Sequence, residues 1–556
     1  MKLHTLIPAI VCRLLLALLL VGTGAAHAQA PTWQTALALN AVSSNVTGMA
    51  TDAAGNVYLT GRFVGTLSLG SIALTSQGGD DGFVAKYRPA TGTFAWAQRF
   101  GGTGADQGHA VAVAGSSVYV TGTFEGTATF GAISFSSAGA SDAAVFKLVD
   151  QGTTAAVVWA QRAGGSRPDN GYAVAVSGTS VYLGGAIGGA ADFGPLTLPN
   201  AGYFTGFVAK LTDTGASAAF GWVQALSGPG YTDVNVLAAT ATSVYAGGLF
   251  VNSTTFGSAT LTGTGAEDGW VAKLNDNGPS GSVSWAVPLG GSGSDELYSL
   301  AVSGPNVYAT GRFSGTAWFG SLALTSAGSS DVFVAKLTDA GASAAYTWVQ
   351  PAGGPGDDFG SAVAVAGGSV YVTGGIVDAG TFGSIPVMTA GTHDVFVARL
   401  ADAGASARFV WAQVGGGSQG DFGTALALSS QGLYVGGVVS PPATFAPLAA
   451  LAGDGSGVGV GLLAGLGRAA LATTPAAPVP AFGLLPNPAH GMAMVRLPAG
   501  LGAATLTVLD VLGRAVRSQT TTEAHAELDL TGLPAGLYAV RVAAGNQAIT
   551  QRLVVE

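Results

Sequence analysis

Residues 331–337 read Asp331-Val332-Phe333-Val334-Ala335-Lys336-Leu337, and Trp348 and Val370-Tyr371-Val372-Thr373-Gly374 follow them. The same elements recur along the whole chain. Tryptophan stands at seven positions spaced by 63 residues: Trp33, Trp96, Trp159, Trp222, Trp285, Trp348 and Trp411. Tyrosine recurs at Tyr58, Tyr119, Tyr182, Tyr245, Tyr308, Tyr371 and Tyr434. A basic residue recurs at Lys86, Lys147, Lys210, Lys273, Lys336 and Arg399, and the same interval ends at Leu462. Seven copies of one unit predict a repeat architecture.

Each unit contains four short apolar runs between Gly-rich turns, and no segment has a helical period. A longer segment between the second and third apolar runs of each unit predicts an extra short hairpin. Seven four-stranded units of about 63 residues predict an all-β fold, a seven-bladed β-propeller over residues 29–467. First runs such as Ala110-Val111-Ala112-Val113 are small or β-branched, which suits the narrow axis of such a ring.

The two ends of the repeat region complement each other. The first unit begins with the Trp33 run, whereas the last unit stops after its third run. We therefore predict that residues 32–39 form the outer strand of the sheet that residues 457–467 leave incomplete. This pairing would remove two open sheet edges.

The composition excludes several classes of protein. The 556 residues include 88 glycines, 48% are hydrophobic and 9% are charged. Long-range disorder needs more charge and fewer aliphatic residues. The 21 Lys+Arg against 30 Asp+Glu argue against a nucleic-acid partner. Sheets buried on both faces account for the high mean hydropathy, so we expect no transmembrane segment in the mature chain.

Residues 1–28 have the anatomy of a secretory signal peptide. Lys2 and Arg13 precede a short apolar core, and small residues allow cleavage between Ala28 and Gln29. Cleavage would remove Cys12, the single cysteine of the sequence, so we predict a mature chain without disulfides.

The C-terminal part has a different texture. Residues 468–484 are rich in Ala, Pro and Thr, which predicts an extended linker. Alternating apolar runs over residues 485–556 predict a small β-sandwich. The distinctive residues of this segment are Pro486, Asn487, Pro488, Asp510, Gly513, Arg514, Leu533, Pro534, Gly536 and Tyr538.

Through those residues the segment resembles the C-terminal sorting domain of the type IX secretion system of Bacteroidetes. The resemblance implies contact with the secretion machinery, export across the outer membrane, and removal of the domain during release or surface attachment. The repeat itself resembles a bacterial β-propeller family with Asp-x-Phe-Val-Ala-Lys-Leu and Val-Tyr-x-Thr-Gly stretches. That second resemblance implies a secreted or surface propeller and no common activity.

Two sets of aspartates repeat with the units. One precedes the first strands: Asp106, Asp169, Asp295, Asp358 and Asp421, with Asp233 displaced by one. The other precedes the third strands: Asp81, Asp142, Asp268, Asp331 and Asp394. First and third strands of a meander run in the same direction, so we expect both sets on one face. Two interpretations stay open: carboxylates that accept backbone N–H groups in turns, or a polar face that binds a cation such as Ca²⁺.

The sequence contains no recognisable catalytic constellation or cofactor motif. After cleavage the histidines are His109, His393, His490 and His525, without metal-ligand spacing. The best paired carboxylates for glycoside hydrolysis are Asp357-Asp358 and Asp80-Asp81. We interpret the tryptophan ladder as packing between sheets, because all seven residues share one strand register.

We therefore predict a non-enzymatic, secreted or surface-attached module that binds an extracellular glycan or protein, or acts as a scaffold. The alternative is a glycosidase or lyase with its site at the central mouth. That alternative needs one unit to depart from the consensus, and the fourth seam does so at Ser227-Gly228-Pro229-Gly230-Tyr231-Thr232-Asp233 and at Thr205.

Overall fold

The computed structural model of the chain describes residues 30–199, 203–452, 458–467, 471, 483–497, 504–510, 514–544 and 547–556. The chain divides into two compact units, residues 1–472 and 473–556. The described residues contain many strands and no α-helix, which confirms the all-β class. No helix in this part of the chain is long and apolar enough to cross a membrane. The predicted signal peptide with Ala28 and Gln29, most of the predicted linker, and Gly513 lie outside the described residues.

In the N-terminal unit the chain forms β1 (Trp33–Leu39), β2 (Ser43–Thr51), β3 (Val57–Val64), β4 (Thr66–Leu69), β5 (Ile72–Thr75), β6 (Asp81–Arg88), β7 (Thr93–Gly102), β8 (Gln107–Ala114), β9 (Ser117–Phe130), β10 (Ile133–Asp150), β11 (Ala155–Gly165), β12 (Asp169–Ser177), β13 (Ser180–Ile187), β14 (Ala191–Phe193), β15 (Leu196–Leu198), β16 (Thr205–Asp213), β17 (Ala218–Ser227), β18 (Val236–Ala239), β19 (Ser243–Phe250) and β20 (Ser253–Phe256). It continues through β21 (Ala259–Thr262), β22 (Asp268–Asp276), β23 (Gly281–Gly291), β24 (Glu296–Ser303), β25 (Asn306–Phe313), β26 (Thr316–Phe319), β27 (Leu322–Thr325), β28 (Asp331–Asp339), β29 (Ala344–Gly353), β30 (Phe359–Ala366), β31 (Ser369–Ile376), β32 (Ala379–Phe382), β33 (Ile385–Met388), β34 (Asp394–Asp402), β35 (Ala407–Gly417), β36 (Phe422–Ser429), β37 (Gly432–Val439), β38 (Ala443–Thr444) and β39 (Val460–Gly467).

These strands build antiparallel sheets of four strands, one for each sequence repeat. Numbered from first to seventh, their strand orders are β2-β3-β6-β7, β8-β9-β10-β11, β12-β13-β16-β17, β18-β19-β22-β23, β24-β25-β28-β29, β30-β31-β34-β35 and β36-β37-β39-β1. Each hydrophobic core lies between two neighbouring sheets. Tyr58 and Val84 of the first sheet, for example, share a core with Val120 and Phe146 of the second.

The predicted extra hairpin is confirmed, and it joins neighbouring sheets. The β14–β15 hairpin of the third repeat pairs with β11 of the second sheet, Ala163 opposite Phe193. Strands β20, β26, β32 and β38 pair in the same way with β17, β23, β29 and β35. In the second repeat the hairpin is the extension of β9 and β10, and it pairs with β7.

The predicted closure of the seventh sheet is also confirmed. Strand β1 pairs with β39, Ala36 opposite Ala464 and Leu39 opposite Gly461. The two ends of the repeat region therefore meet in one sheet.

One detail of the predicted ladders is wrong. In the sixth sheet Arg399 lies opposite both Tyr371 and Trp411. In the seventh sheet Gly465 lies opposite Tyr434 and Thr35, so neither Leu462 nor Trp33 keeps the ladder register. The reason is a connection between β37 and β39 that is three residues longer than the one between β31 and β34. Trp33 is still 1% exposed, and its ring packs edge-on against Phe445 at 5.1 Å between centroids.

The first strands of the seven sheets contact one another in cyclic order: β2, β8, β12, β18, β24, β30, β36 and again β2. A cavity of about 190 Å³ lies between them, and all seven strands contribute to its wall. We call it the central cavity.

The C-terminal unit forms β40 (Gly483–Leu485), β41 (Met492–Arg496), β42 (Ala504–Leu509), β43 (Ala515–Thr521), β44 (His525–Asp529), β45 (Gly536–Ala544) and β46 (Gln547–Val555). One sheet has the order β40-β41-β44 and the other β43-β42-β45-β46. Val495 and Leu528 of the first sheet share a core with Leu506, Val540 and Leu553 of the second. Two sheets on a common core agree with the prediction for this segment.

Candidate binding site at the central cavity

The aspartates that precede the first strands are buried and bind backbone. Asp106 is 0% exposed, and its carboxylate accepts N–H groups from Gly102 at 2.7 Å and Glu125 at 3.2 Å. Asp358 accepts in the same way from Gly354 and Val377, both at 2.7 Å. The equivalent pairs of N–H donors exist at Asp169, Asp295 and Asp421. These carboxylates hold the chain as it enters each sheet.

The aspartates that precede the third strands are buried as well. Asp81 accepts the Gln77 N–H at 2.6 Å, and Asp142 accepts the Ala138 N–H at 3.0 Å. Asp268, Asp331 and Asp394 bind the equivalent N–H groups of Thr264, Ala327 and Ala390. All ten predicted aspartates therefore have the backbone-binding geometry of the first interpretation. The calcium interpretation stays a prediction.

A third aspartate set, which sequence reasoning missed, joins neighbouring sheets. Asp213 of the third sheet accepts hydrogen bonds from three side chains of the second: Tyr119 Oη at 2.7 Å, Lys147 Nζ at 2.6 Å and Trp159 Nε1 at 3.0 Å. Burial alone would raise the pKa of Asp213, but the bonds from Lys147 and Tyr119 outweigh it and hold that pKa below its ordinary value. We call this arrangement the clasp.

The clasp recurs at five seams. The accepting carboxylates are Asp150, Asp213, Asp276, Asp339 and Asp402. Their 63-residue spacing in the sequence was a usable signal, because it matches the tyrosine, lysine and tryptophan ladders. The seven ladder tryptophans are 1–6% exposed, which confirms their packing role.

The seam between the seventh and first sheets is built differently. Pro89 stands at the position of the clasp aspartate, and the equivalent residue of the seventh repeat, 468, lies outside the described residues. An apolar core with Tyr434, Leu463 and Tyr87 fills this seam. The two tyrosine rings meet at 6.3 Å between centroids.

The wall of the central cavity breaks the repeat symmetry. Seven equivalent positions of the first strands carry Thr47, His109, Tyr172, Asn235, Tyr298, Ser361 and Thr424. The His109 ring lies edge-on to Tyr172 at 5.5 Å between centroids, and its Nε2 is 3.2 Å from Thr123 Oγ1. Burial lowers the pKa of His109 to about 4, so the ring is neutral at pH 7.

Five charged side chains interact with one another beside Tyr298 of the cavity wall, and we call them the lip cluster: Asp233, Glu267, Glu296, Arg312 and Asp357. Glu296 accepts the Tyr298 hydroxyl and the Arg312 Nε–H, both at 2.8 Å. Asp357 Oδ2 lies 4.0 Å from Arg312 Nη1. Asp233 accepts the Leu249 N–H at 2.8 Å and the Tyr231 hydroxyl at 3.2 Å. The lip cluster thus combines four carboxylates with one guanidinium.

Burial is the largest cause of the raised pKa values of two lip-cluster carboxyls, Asp233 and Glu267. It raises the pKa of Asp233 to about 7, and the charge of Glu296 adds to the effect. Burial and the nearby Glu296 also raise the pKa of Glu267. Neutral or aromatic residues replace Glu296 at the equivalent positions of five repeats: Asn45, Gln107, Asn170, Phe359 and Phe422. Comparison of repeats could have revealed the cluster, and the predicted departure at the fourth seam lies within it at Asp233.

The predicted catalytic pairs do not face each other. Asp358 binds backbone N–H groups inside the fold, while the Asp357 side chain is 49% exposed and accepts from Ser330. Asp81 is buried, whereas Asp80 pairs with Arg62 at 2.6 Å. In the part of the chain that the structure describes, no three His, Cys, Asp or Glu side chains are grouped as a metal site.

The C-terminal unit carries a recognised family signature. Residues 484–556 match the family model of the secretion system C-terminal sorting domain. The domain marks the protein for export by the type IX secretion system to the cell surface or the extracellular space. The predicted sorting residues lie in ordered contacts: Asn487 accepts the Val554 N–H at 2.9 Å, and Arg514 pairs with Asp510 at 2.8 Å.

Solved structures give only a distant likeness. One is PorZ, an essential bacterial surface component of the type IX secretion system of Porphyromonas gingivalis, with 13% identity, 92% of this chain and 82% of that chain covered, and a TM-score of 0.21. Another is the extracellular domain of a putative one-component system of B. thetaiotaomicron, with 7% identity, 94% and 99% coverage, and a TM-score of 0.18. Likeness at these TM-scores carries no inference about fold or function. No curated protein matches the chain.

Proposed function

We propose that the repeat region is a seven-bladed β-propeller that serves as a non-enzymatic extracellular binding or scaffold module. The cyclic contacts of the first strands and the pairing of β1 with β39 support the propeller. The observation that carries the binding role is the central cavity, because its seven equivalent positions bear five different residue types, Thr, His, Tyr, Asn and Ser. Packing alone would tolerate the same residue in every repeat.

The surroundings of the cavity suit a hydroxylated or amide-bearing ligand. Tyr172, Tyr298 and His109 offer aromatic surface, and Asn235 and Thr47 offer hydrogen-bonding groups. We propose that the partner is an extracellular glycan or a protein loop, and that no cofactor takes part. The C-terminal domain supplies the contact with the type IX secretion machinery and is removed during release or surface attachment.

A glycosidase or lyase is the second candidate, and the lip cluster favours it. Asp233, with a pKa raised to about 7, lies near Glu296, for which Arg312 supplies the counter-charge. A carboxyl with a raised pKa beside a second carboxyl is the usual equipment of glycoside hydrolysis. Against this candidate, Asp233 is 3% exposed and both its oxygens already accept hydrogen bonds within the fold.

A glycan array with the mature protein, followed by product analysis of each bound glycan, tests the proposal. We expect binding without turnover, and at least tenfold weaker binding for Tyr298→Ala. Glu125→Gln, at an exposed side chain of β9 that does not line the cavity, is the control and should bind normally. Cleaved product that disappears in Glu296→Gln would establish the enzyme instead.

A further inference from the structure

Aspartates of the two predicted sets face each other across seams. The backbone of Gly353 passes between Asp331 and Asp358: a Cβ on Gly353 would lie 2.1 Å from Asp331 Oδ1 and 2.6 Å from Asp358 Oδ2. Asp81 and Asp106 meet over Gly101, and Asp394 and Asp421 meet over Gly416, in the same manner. Gly353 and Gly101 have φ of 147° and 129°, so only glycine fits between the carboxylates without strain. The remaining pairs are Asp142 with Asp169 and Asp268 with Asp295.

One oxygen of most of these pairs has no donor. Within the described residues, Oδ1 of Asp81, Asp142, Asp331 and Asp394 is buried without a hydrogen-bond partner. An ionised carboxylate oxygen in that position, next to a second carboxylate, has lost its water and gained a like charge. Something must compensate the negative charge at these places.

The remaining two seams supply an internal comparison. At the seam between the third and fourth sheets, Thr205 and Thr232 take both pair positions, and Asp233 is displaced from the register. At the seam between the seventh and first sheets, Val460 and Ser44 take them. No seam keeps one aspartate of a pair and replaces the other, so the two carboxyls act as a unit.

A metal ion does not fit this unit well. Each pair supplies two carboxylates, whereas Ca²⁺ takes six to eight oxygen ligands. Among the described residues, no group of three His, Cys, Asp or Glu side chains is arranged to hold a metal ion. The glycine backbone occupies the space over which the two oxygens meet.

We propose that each of the five aspartate pairs holds one proton jointly, so that the seams of the repeat region are proton-binding sites. The proton comes from solvent and binds Oδ1 of the third-strand aspartate, which then donates to the facing carboxylate. The pair carries one negative charge instead of two, and the orphaned oxygen becomes a donor.

Other charged groups face the pairs and modulate them. Arg99 and Glu125 lie at the first pair, Arg162 at the second, Glu296 at the third, and His393 at the fourth and fifth. Burial raises the pKa of Asp106, Asp169, Asp295, Asp358 and Asp421 to about 6, and the facing aspartate adds to the shift. The folded protein therefore binds more protons than the unfolded chain, whose aspartates titrate near pH 3.9. The stability contribution of the pairs is complete below about pH 4 and is lost as pH rises through about 6.

Infrared spectroscopy of the full mature chain tests the proposal. At pH 5.5 we expect a carboxylic-acid carbonyl band, although an ordinary aspartate is ionised there. Asp331→Asn should remove somewhat less than one fifth of the band, since one pair of five no longer needs its proton and Asp233, with a pKa raised to about 7, also contributes to the band. The asparagine oxygen still accepts the Ala327 N–H, and its amide can donate to Asp358, so this variant should remain folded. Asp192→Asn, at an exposed side chain that accepts a hydrogen bond from Thr197, is the matched control and should leave the band unchanged.

Two results would overturn the proposal. One is an acid band at pH 5.5 that Asp331→Asn leaves unchanged, which would mean that both carboxylates of the pair are ionised and that the band comes from other carboxyls such as Asp233. The other is calcium binding in calorimetry that Asp331→Asn weakens and Asp192→Asn does not, which would replace the proton by a metal.

Discussion

At the scale of single residues, the aspartates divide by what faces them. Clasp aspartates face Lys, Tyr and Trp donors, and seam-pair aspartates face one another. The sequence places both kinds at 63-residue intervals and in similar turns, so position alone does not separate them. The difference arises from contacts between repeats, which a single sequence does not display.

Loss of one clasp carboxylate should be costly. The Lys147 and Asp213 side chains are 7% and 6% exposed, and removal of one partner from a buried ion pair costs about 3–5 kcal/mol. We expect Asp213→Ala to lower the free energy of unfolding by that amount in urea titrations. Asp192→Ala, on the exposed surface of the same repeat, is the control. The double variant Lys147→Met with Asp213→Leu should recover much of the lost free energy of unfolding. Equal stability of Asp213→Ala and the control would contradict a stabilising role of the clasp.

At the scale of elements, the sequence predicts the strands well and their register less well. Apolar alternation and the repeat interval identify the four strands, the hairpin and the partner of β1. The register of β39 was mispredicted because three extra residues lie in the connection before it. Periodicity counts residues along the chain, whereas register depends on which residues form hydrogen bonds.

Strand β1 should be indispensable for stability. Trp33 and Leu39 are each 1% exposed, and loss of a buried tryptophan alone costs about 3–5 kcal/mol. We expect deletion of residues 30–40, which removes β1 and leaves β2 intact, to lower the melting temperature steeply. Val42→Ser, at a side chain that is 67% exposed, is the control. A melting curve identical to that of the control would mean that β1 is dispensable.

At the scale of the whole molecule, two opposing carboxyl populations shape the dependence of stability on pH. The clasp aspartates have lowered pKa values, so their contribution is present above pH 4 and is lost as pH falls further. The seam pairs behave in the opposite sense. We therefore expect the urea midpoint to be highest at about pH 4–5. On either side of this maximum, each carboxyl lowers the free energy of unfolding by at most about 1.4 kcal/mol per pH unit. A midpoint that rises steadily from pH 4 to pH 8 would contradict this balance.

The sequence predicts the export of the protein better than its ligand, because short motifs in a fixed order along the chain identify the sorting domain. The ligand is harder, since the central cavity is assembled from seven residues that are about 63 positions apart. The departures of the lip cluster from the repeat pattern are visible in the sequence. Their convergence beside Tyr298 of the cavity wall is a property of the fold.

The proposed propeller depends most on the meeting of the two ends of the repeat region in one sheet. Ala36 and Ala464 lie directly opposite each other in an antiparallel pair, where the Cα separation of about 4.5–5.5 Å suits a disulfide. The predicted mature chain has no cysteine, so Ala36→Cys with Ala464→Cys should form one bond across 428 residues under mild oxidation. Mass spectrometry of the unreduced protein detects the peptide linked by this disulfide. The control is the double variant Ala36→Cys with Ser429→Cys, whose two positions are three strands apart in the same sheet. The linked peptide is the result we expect; free thiols in both variants would contradict the closure of the seventh sheet.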